Sequence, residues 1–269
     1  MSLEELKGSI VLYLDGLART AAQQRQASAI GKVYYDLARH HRAFGICVLL
    51  TDVNVDGFFH GLIQSALTWK FFLERCQLEG VSDSSYRRVS LSAPFLDAVA
   101  AGQWKLAKQI AALSADAWRQ GEEYEDDFAY ARFLHRLLDF EQAERAVAQH
   151  LLDQFERALE GGSDVRLELA RALLDKNQDA FESAFEGLLD DHEHKMKRIA
   201  DPQRDSVLAR EYTFEPNRHI MVEGLAILQV AEVLGLKLES EYKFCPGFVR
   251  RTQYAPFAPL TFPGAKLED

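Results

Sequence analysis

The segment from Asp179 to Val249 constrains the fold more than any other part of the chain, because two long helical patterns follow each other there. Over residues 179–199, apolar residues recur at spacings of three and four with acidic residues opposite, which predicts an amphipathic helix that faces a core. Residues 220–236 are almost continuously apolar, which predicts a buried helix that ends at Gly235 in a left-handed cap. Pro246 opposes further helix, so we expect residues 238–249 to form a non-helical clasp that folds back over these helices.

Helical periodicity also dominates the first third of the chain. Apolar residues recur with a helical period over residues 3–24 and 27–53, and over residues 57–76 they crowd two faces, so we expect the third helix to be buried between neighbours. These helices predict an N-terminal bundle. The basic run Arg39–Arg42 lies within the second helix, and we expect its two histidines, His40 and His41, to lie on a charged face exposed to solvent.

Three pairs of shorter helices are predicted between residues 93 and 192, after a connecting loop over residues 79–92. We expect tight turns at Gly102, at Asp139 and at Lys176. An alanine follows each turn, and successive alanines are 36 or 37 residues apart, close to the period of helix-turn-helix solenoid units. The pattern fits irregular αα-hairpin (TPR-like) repeats and a plain helical bundle about equally well.

Prolines interrupt the end of the chain. Pro256, Pro259 and Pro263 alternate with aromatic and aliphatic residues, so residues 250–269 predict an extended proline-rich arm packed on the body. The residues from Lys237 to Phe244 are compatible with a short β-strand, although the sequence offers no clear second strand to pair with it.

The sequence as a whole predicts an all-α fold. A helical bundle over residues 1–92 is expected to pack against αα-hairpins over residues 93–249, which the apolar helix closes, and the extended C-terminal arm over residues 250–269 follows. With 48% apolar residues in 269, the chain can bury a sizeable core, and we expect these parts to form one compact unit.

Charge and cysteine usage argue against several classes of protein. The formal net charge is −10, from 41 acidic and 31 basic residues, which opposes non-specific nucleic-acid binding because such binding needs cations to displace phosphate counterions. Cys47, Cys76 and Cys245 are far apart and odd in number, so neither a disulfide framework nor a zinc site is predicted. The N-terminus lacks a signal-peptide pattern and no apolar run is long enough to span a membrane. We therefore expect a cytoplasmic protein that binds neither nucleic acid nor membrane.

Catalytic and cofactor motifs are missing from the sequence. It has no nucleophile elbow, no P-loop and no dinucleotide-binding glycine pattern, so we expect neither an enzyme nor a cofactor. The strongest metal candidate is the run from Asp190 to His194, but His192 and His194 would point about 200° apart on a helix and could not both ligate one ion without distortion. We interpret this run as a solvated helix face with His192 half-buried, and we predict no metal site.

An acidic segment between the first two hairpins is the candidate binding site. Carboxylates that flank an aromatic side chain can steer a basic protein and anchor it, whereas the plainer interpretation is a solvated turn before a helix N-terminus, which favours acidic residues. We expect this segment to be a loop that ends at Asp127 and to contact a basic partner. Its members are Glu122, Glu123, Tyr124, Glu125, Asp126 and Asp127.

Three features of the C-terminal part are shared with a known family. They are the helix from Asp179 to His192, the alanine- and leucine-rich helix from Gly224 to Leu236, and the part of the clasp from Ser240 to Val249. Over its last third to half, the chain thereby resembles the immunity protein 49 family of bacterial polymorphic-toxin systems. The resemblance implies a protein that binds and neutralises a cognate toxin in the cytoplasm of the bacterium that makes both. A nuclease toxin would have a basic face that complements the acidic residues here.

Other classes of function remain open at this point. An αα-repeat scaffold or secretion chaperone would hold a peptide in a concave groove, and a helical-bundle enzyme would use the carboxylates and histidines near Asp190 and His194. A homodimer also remains open, because aromatic residues of the proline-rich arm could mediate one.

Overall fold

The computed structural model of this protein describes residues 1–23, 26–82, 84–137, 142–250 and 259. Helices make up its regular structure, which confirms the predicted all-α fold. They are α1 (Leu3–Gln23), α2 (Ala27–Asp52), α3 (Val55–Leu78), α4 (Ala93–Ala100), α5 (Trp104–Leu113), α6 (Glu125–Arg136), α7 (Gln142–Ala158), α8 (Val165–Asp175), α9 (Gln178–Ala200), α10 (Phe214–His219), α11 (Val222–Val233) and α12 (Gly247–Arg250). Short 3-10 turns occur at Ser85–Arg87, Pro202–Arg204 and Val207–Arg210.

The clasp, residues 238–249, differs from expectation in two details. The strand considered for residues 237–244 is wrong, because the described chain has only an isolated antiparallel bridge there, between Tyr242 and Cys245. The clasp is also not wholly non-helical, since α12 adds a helical turn directly after Pro246. A proline is tolerated at a helix start because the amide groups of the first turn have no partner within the helix.

Helices α2 and α3 cross at backbone distance in the N-terminal bundle. A tight turn joins them, in which Val53 is left-handed with φ of 53° and the Asn54 side chain caps α3. At the crossing, a Cβ atom on Gly61 would lie 2.6 Å from the Gly45 Cα and 2.7 Å from the His41 carbonyl oxygen. Glycine is therefore required at residue 61 for the two helices to approach this closely.

The predicted hairpins are present as α4–α5, α6–α7 and α8–α9. Gly102 has φ of 66° between α4 and α5, while Lys176 is left-handed with φ of 52° and Asn177 then caps α9. The turn predicted at Asp139 lies outside the described residues. Helix α4 also contacts α3 and α11, whereas each unit of a solenoid contacts only its neighbours. This closed packing favours the plain bundle over TPR-like repeats.

Helix α11 lies in the core, and the clasp covers its N-terminus. The helix is apolar except at Glu223, Gln229 and Glu232, and Gly235, with φ of 86°, follows its end, as the sequence predicts. The Met221 amide donates a hydrogen bond to the Phe244 carbonyl at 3.0 Å. A Cβ atom on Gly224 would lie 2.6 Å from Cys245 Sγ, so the clasp rests directly on the α11 backbone.

The clasp also holds α9 against the body. Phe185 on the buried stripe of α9 meets the ring of Tyr242 edge-on at 5.1 Å, and Lys243 forms an ion pair with Glu193 at 2.7 Å. The prediction of an amphipathic, core-facing helix is confirmed, because the buried residues of α9 are those of the apolar stripe, namely Phe181, Ala184, Phe185, Leu188 and Leu189.

The main cluster of buried apolar side chains extends from Ala18 in α1 to Val249 in α12, and two smaller clusters are separate from it. A buried ion pair reinforces it, in which Arg42 Nε on α2 lies 2.6 Å from a carboxylate oxygen of Asp97 on α4. The bundle and the hairpins are thus in direct contact, and the domain boundaries at residues 92 and 249 stay a prediction.

The C-terminal arm is described at Pro259 alone. Its carbonyl accepts a hydrogen bond at 2.7 Å from Nε2 of Gln64, which is buried in α3. The rest of the arm that the sequence predicts over residues 250–269 lies outside the described residues after Arg250.

Candidate functional site

The acidic segment, Glu122–Asp127, is half loop and half helix. Helix α6 begins at Glu125, with Tyr124 in the capping position before it and three acidic residues in its first turn. The expectation that the loop extends to Asp127 is therefore wrong by three residues. Carboxylates in a first turn are stabilised by the positive end of the helix dipole, which accounts for the earlier helix start.

The loop half of the segment is fastened to the body by polar contacts. Glu122 forms an ion pair with Arg119 at 2.8 Å. The Glu123 carboxylate accepts a hydrogen bond from the Ser90 amide at 2.9 Å, and the Glu123 carbonyl accepts one from Trp118 Nε1 at 3.0 Å. Glu123 is therefore a structural brace of this turn as well as a charge.

Tyr124 points outward, unlike its neighbours. Its side chain is 78% exposed and makes no hydrogen bond or ring contact with any residue of the described ranges. It borders an open cavity of about 640 Å³ with Trp118, Arg88 and Gln120. Of the predicted contact residues, Tyr124 is thus the one best placed to meet another molecule.

The helical half of the segment is joined to α8 by Arg166. The guanidinium of Arg166 forms ion pairs with Asp127 at 2.7 Å, Asp126 at 3.2 Å and Asp164 at 2.7 Å. Burial alone would lower the pKa of Arg166, but the hydrogen bonds to Asp164 and Asp127 outweigh it and raise that pKa above its ordinary value. Glu125, on the same turn, accepts a hydrogen bond from Gln154 at 2.8 Å. All five carboxylates of the segment are thus already partnered within the chain.

The sequence alone did not indicate the role of Arg166, which lies at the centre of this arrangement. Arg166 also lies over the rings of Tyr130 at 5.4 Å and Phe155 at 5.5 Å. The buried Tyr130 hydroxyl donates to Glu223 at 3.1 Å, and burial, followed by the nearby Glu223 charge, raises the pKa of Tyr130. The available signal was Glu223 itself, a carboxylate in the first turn of a mainly apolar helix.

A groove between α8, α9 and α11 lies beside this centre. It has a volume of about 700 Å³, and its lining includes Val165, Leu188 and Met221 as well as Glu168, Asp191 and Glu223. A smaller cavity of about 210 Å³ shares Ser90 and Asp127 with the cavity at Tyr124 and shares Arg166 and Glu223 with the groove. The smaller cavity therefore neighbours both of the others, and the acidic segment lines the cavity at Tyr124.

The basic run at Arg39–Arg42 is not the solvent-exposed face that we expected. His40 is 7% exposed, and its Nδ1 lies 2.6 Å from the Asp36 carbonyl oxygen. Burial, followed by the charge of His60, lowers the pKa of His41 to about 4. The physical reason is that other helices cover this stretch, which a single helix pattern does not reveal. The Tyr13 ring of α1 lies 4.5 Å from that of His40, and Arg42 pairs with Asp97 of α4.

The residues considered for metal binding lie mainly on a helix surface. Asp190, Asp191 and His194 on α9 are exposed and His192 is partly buried, with its ring 4.9 Å from that of Phe244 in the clasp. Over the described ranges, no three His, Cys, Asp or Glu side chains are grouped to hold a metal ion.

The three cysteines are buried and unbridged. Burial raises the pKa of Cys47 and of Cys76 to about 11 and that of Cys245 to about 12. They behave as small apolar side chains. Separately, none of the helices in the described ranges has both the length and the apolar character needed to cross a bilayer.

Over the described residues, the fold and this surface together define an all-helical protein with open grooves lined by charged side chains. The profile of the immunity protein 49 family matches residues 74–248, well over half of the chain. The chain therefore belongs to the immunity protein 49 family, which confirms the resemblance and extends it upstream of the last half, into α3. Searches of curated proteins and of solved structures found no match.

Proposed function

We propose that this protein neutralises a cognate bacterial toxin by binding it directly, in the cytoplasm of the bacterium that makes both and without a catalytic step. Membership of an immunity family supports the role. The observation that carries the mode of action is the exposed Tyr124 amid the carboxylates of the acidic segment, since interface anchors are often aromatic side chains surrounded by polar groups.

The charge balance favours a basic toxin. The net charge of −10 attracts a cationic partner at long range and speeds encounter. A nuclease fits this description because its substrate-binding face must be positive to hold phosphates. Covering that face would block the substrate as well as bind the toxin.

The structure dictates which substitutions can test the contact. Charge reversal at Glu123 or Asp127 would break the bond to the Ser90 amide or to Arg166 and so confuse lost binding with lost stability. Tyr124→Ala avoids this problem because the exposed ring lacks partners in the described chain. Leu12→Ala is the matched control, since Leu12 is 76% exposed on α1, far along the sequence from the acidic segment.

The experiment uses the protein encoded by the adjacent gene, expressed with and without this chain. We expect growth arrest by the neighbour alone, rescue by this chain, and a complex of the two in pull-down. Tyr124→Ala should raise the dissociation constant roughly 30-fold, as expected for loss of a hot-spot aromatic worth about 2 kcal/mol, while Leu12→Ala leaves it unchanged. A harmless neighbour, or a toxic one that neither binds nor is rescued, would refute the proposal.

A further inference from the structure

The groove between α8, α9 and α11 has an apolar lining that reaches its floor. Leu188 is 5% exposed and Met221 is 6% exposed, and both line the groove together with Val165. Such a floor can pack against the aliphatic stem of a long side chain, and the polar end of that side chain then needs a polar or charged partner at the rim.

The rim carries negative charge without internal compensation. Glu168 on α8 and Asp191 on α9 are exposed, and in the part of the chain that the structure describes neither forms an ion pair or a side-chain hydrogen bond. Glu223 accepts a hydrogen bond from neutral Tyr130, so its charge is also not cancelled by a cation there.

The positive groups of the groove do not offset these carboxylates. Arg166 is already engaged by three aspartates, which leaves Lys195 as an exposed cation of the lining. His192 adds no charge near neutral pH, because burial and, secondly, Lys195 lower its pKa. An anionic or wholly apolar occupant would leave desolvated carboxylates unpaired, which is unfavourable, whereas a cation would pair with them.

We propose that this groove binds a lysine- or arginine-bearing segment of the partner toxin, with the aliphatic stem over Leu188 and Met221 and the charged end at Glu168 and Asp191. This assignment rests on the proposed function, in that the occupant is the toxin. It adds a second contact to the one at Tyr124. The smaller cavity lined by Ser90 and Arg166 has lining residues in common with both sites.

The test compares two double variants of the full chain. Glu168→Lys with Asp191→Lys reverses the rim, and Glu186→Lys with Glu232→Lys makes the same change in net charge at exposed residues of α9 and α11 that line none of the cavities described above. Binding of fluorescein-labelled octa-arginine, with octa-glutamate as the opposite probe, is measured by fluorescence anisotropy at low and high salt. Thermal melts verify that both variants are folded.

We expect octa-arginine to bind the wild type and to lose affinity on the order of tenfold or more in the rim variant, with a much smaller loss in the control. Equal losses in the two variants would show general charge attraction and overturn the assignment, as would preferential binding of octa-glutamate by the wild type. A change of oligomeric state in the rim variant, measured by sedimentation, would instead identify a contact between two copies and overturn it too.

A second measurement, of binding to the toxin itself, distinguishes failure of this inference from failure of the proposed function. The rim variant should bind the neighbouring toxin at least about tenfold more weakly than the control does. If the toxin binds the wild type and the rim variant equally, the groove assignment is wrong and the proposed function stands. If the toxin does not bind the wild type at all, the proposed function fails.

Discussion

Removal of the Asp97 carboxylate should destabilise the protein strongly. Asp97 is fully buried on α4, where its carboxylate accepts hydrogen bonds from Arg42 Nε at 2.6 Å and from Ser65 Oγ at 2.5 Å. The change Asp97→Ala leaves the guanidinium of Arg42, whose side chain is 16% exposed, without its counter-charge. It also leaves the Ser65 hydroxyl without this acceptor.

The magnitude follows from these contacts. Hydrogen bonds to a charged group contribute about 1.5–3 kcal/mol each, and loss of one member of a buried ion pair typically costs about 3–5 kcal/mol. The slight exposure of Arg42 allows partial hydration, so we expect a loss of about 3–4 kcal/mol. Replacement of both charges, Arg42→Met with Asp97→Leu, should cost less than Asp97→Ala alone because no buried charge is left unpaired.

Equilibrium urea unfolding, followed by circular dichroism at pH 7, measures these differences. The slope against urea concentration should stay constant while the midpoint falls, since the surface exposed on unfolding is nearly the same. A decrease of less than about 1 kcal/mol in the free energy of unfolding of Asp97→Ala, or a double variant that is less stable than this single variant, would contradict this account of the ion pair.

Two further predictions concern packing and pH. Gly61→Ala should lower the free energy of unfolding by about 1–3 kcal/mol, because it overpacks the α2–α3 crossing. Gly8→Ala on α1, where a Cβ atom meets nothing within 4 Å, should instead stabilise the helix by roughly 0.5–1 kcal/mol. Thermal melts of the two variants compare these effects. Burial, followed by the charge of Arg132, lowers the pKa of His135 to about 3, so His135 is protonated at a lower pH in the folded state than in the unfolded state. Because of this residue, the free energy of unfolding should be about 3 kcal/mol lower at pH 4 than above pH 6.5. In His135→Leu, the free energy of unfolding measured with urea should vary less with pH over that range.

Local patterns in the sequence were enough to place most of the helices, although not α10 or α12. The start of α2 at Ala27 and the left-handed residue at Lys176 follow from helical periodicity and turn chemistry, which act over a few residues. The hairpin turn at Gly102 is of the same kind. These features were predictable because each depends on neighbours in sequence.

The candidate site was less predictable because its parts meet only after folding. Arg166 reaches Asp127 across 39 residues and Arg42 reaches Asp97 across 55, and no local pattern indicates either pair. The same limit explains why the run from Arg39 to Arg42 was assigned to solvent. A charge run is usually solvated, but here other helices cover it.

The family match also predicts what the matched segment cannot do alone. It begins at Glu74, within α3, yet Arg42, the partner of buried Asp97, lies upstream of it. A chain starting at Glu74 would leave this carboxylate uncompensated and would expose the apolar faces that α4 and α5 present to α3. We therefore expect it to unfold without a cooperative transition and to bind hydrophobic dyes, in contrast to the full chain. A sharp thermal transition for the shortened chain, with near-ultraviolet circular dichroism like that of the full protein, would show that residues 1–73 are dispensable for folding and would refute this account of the core.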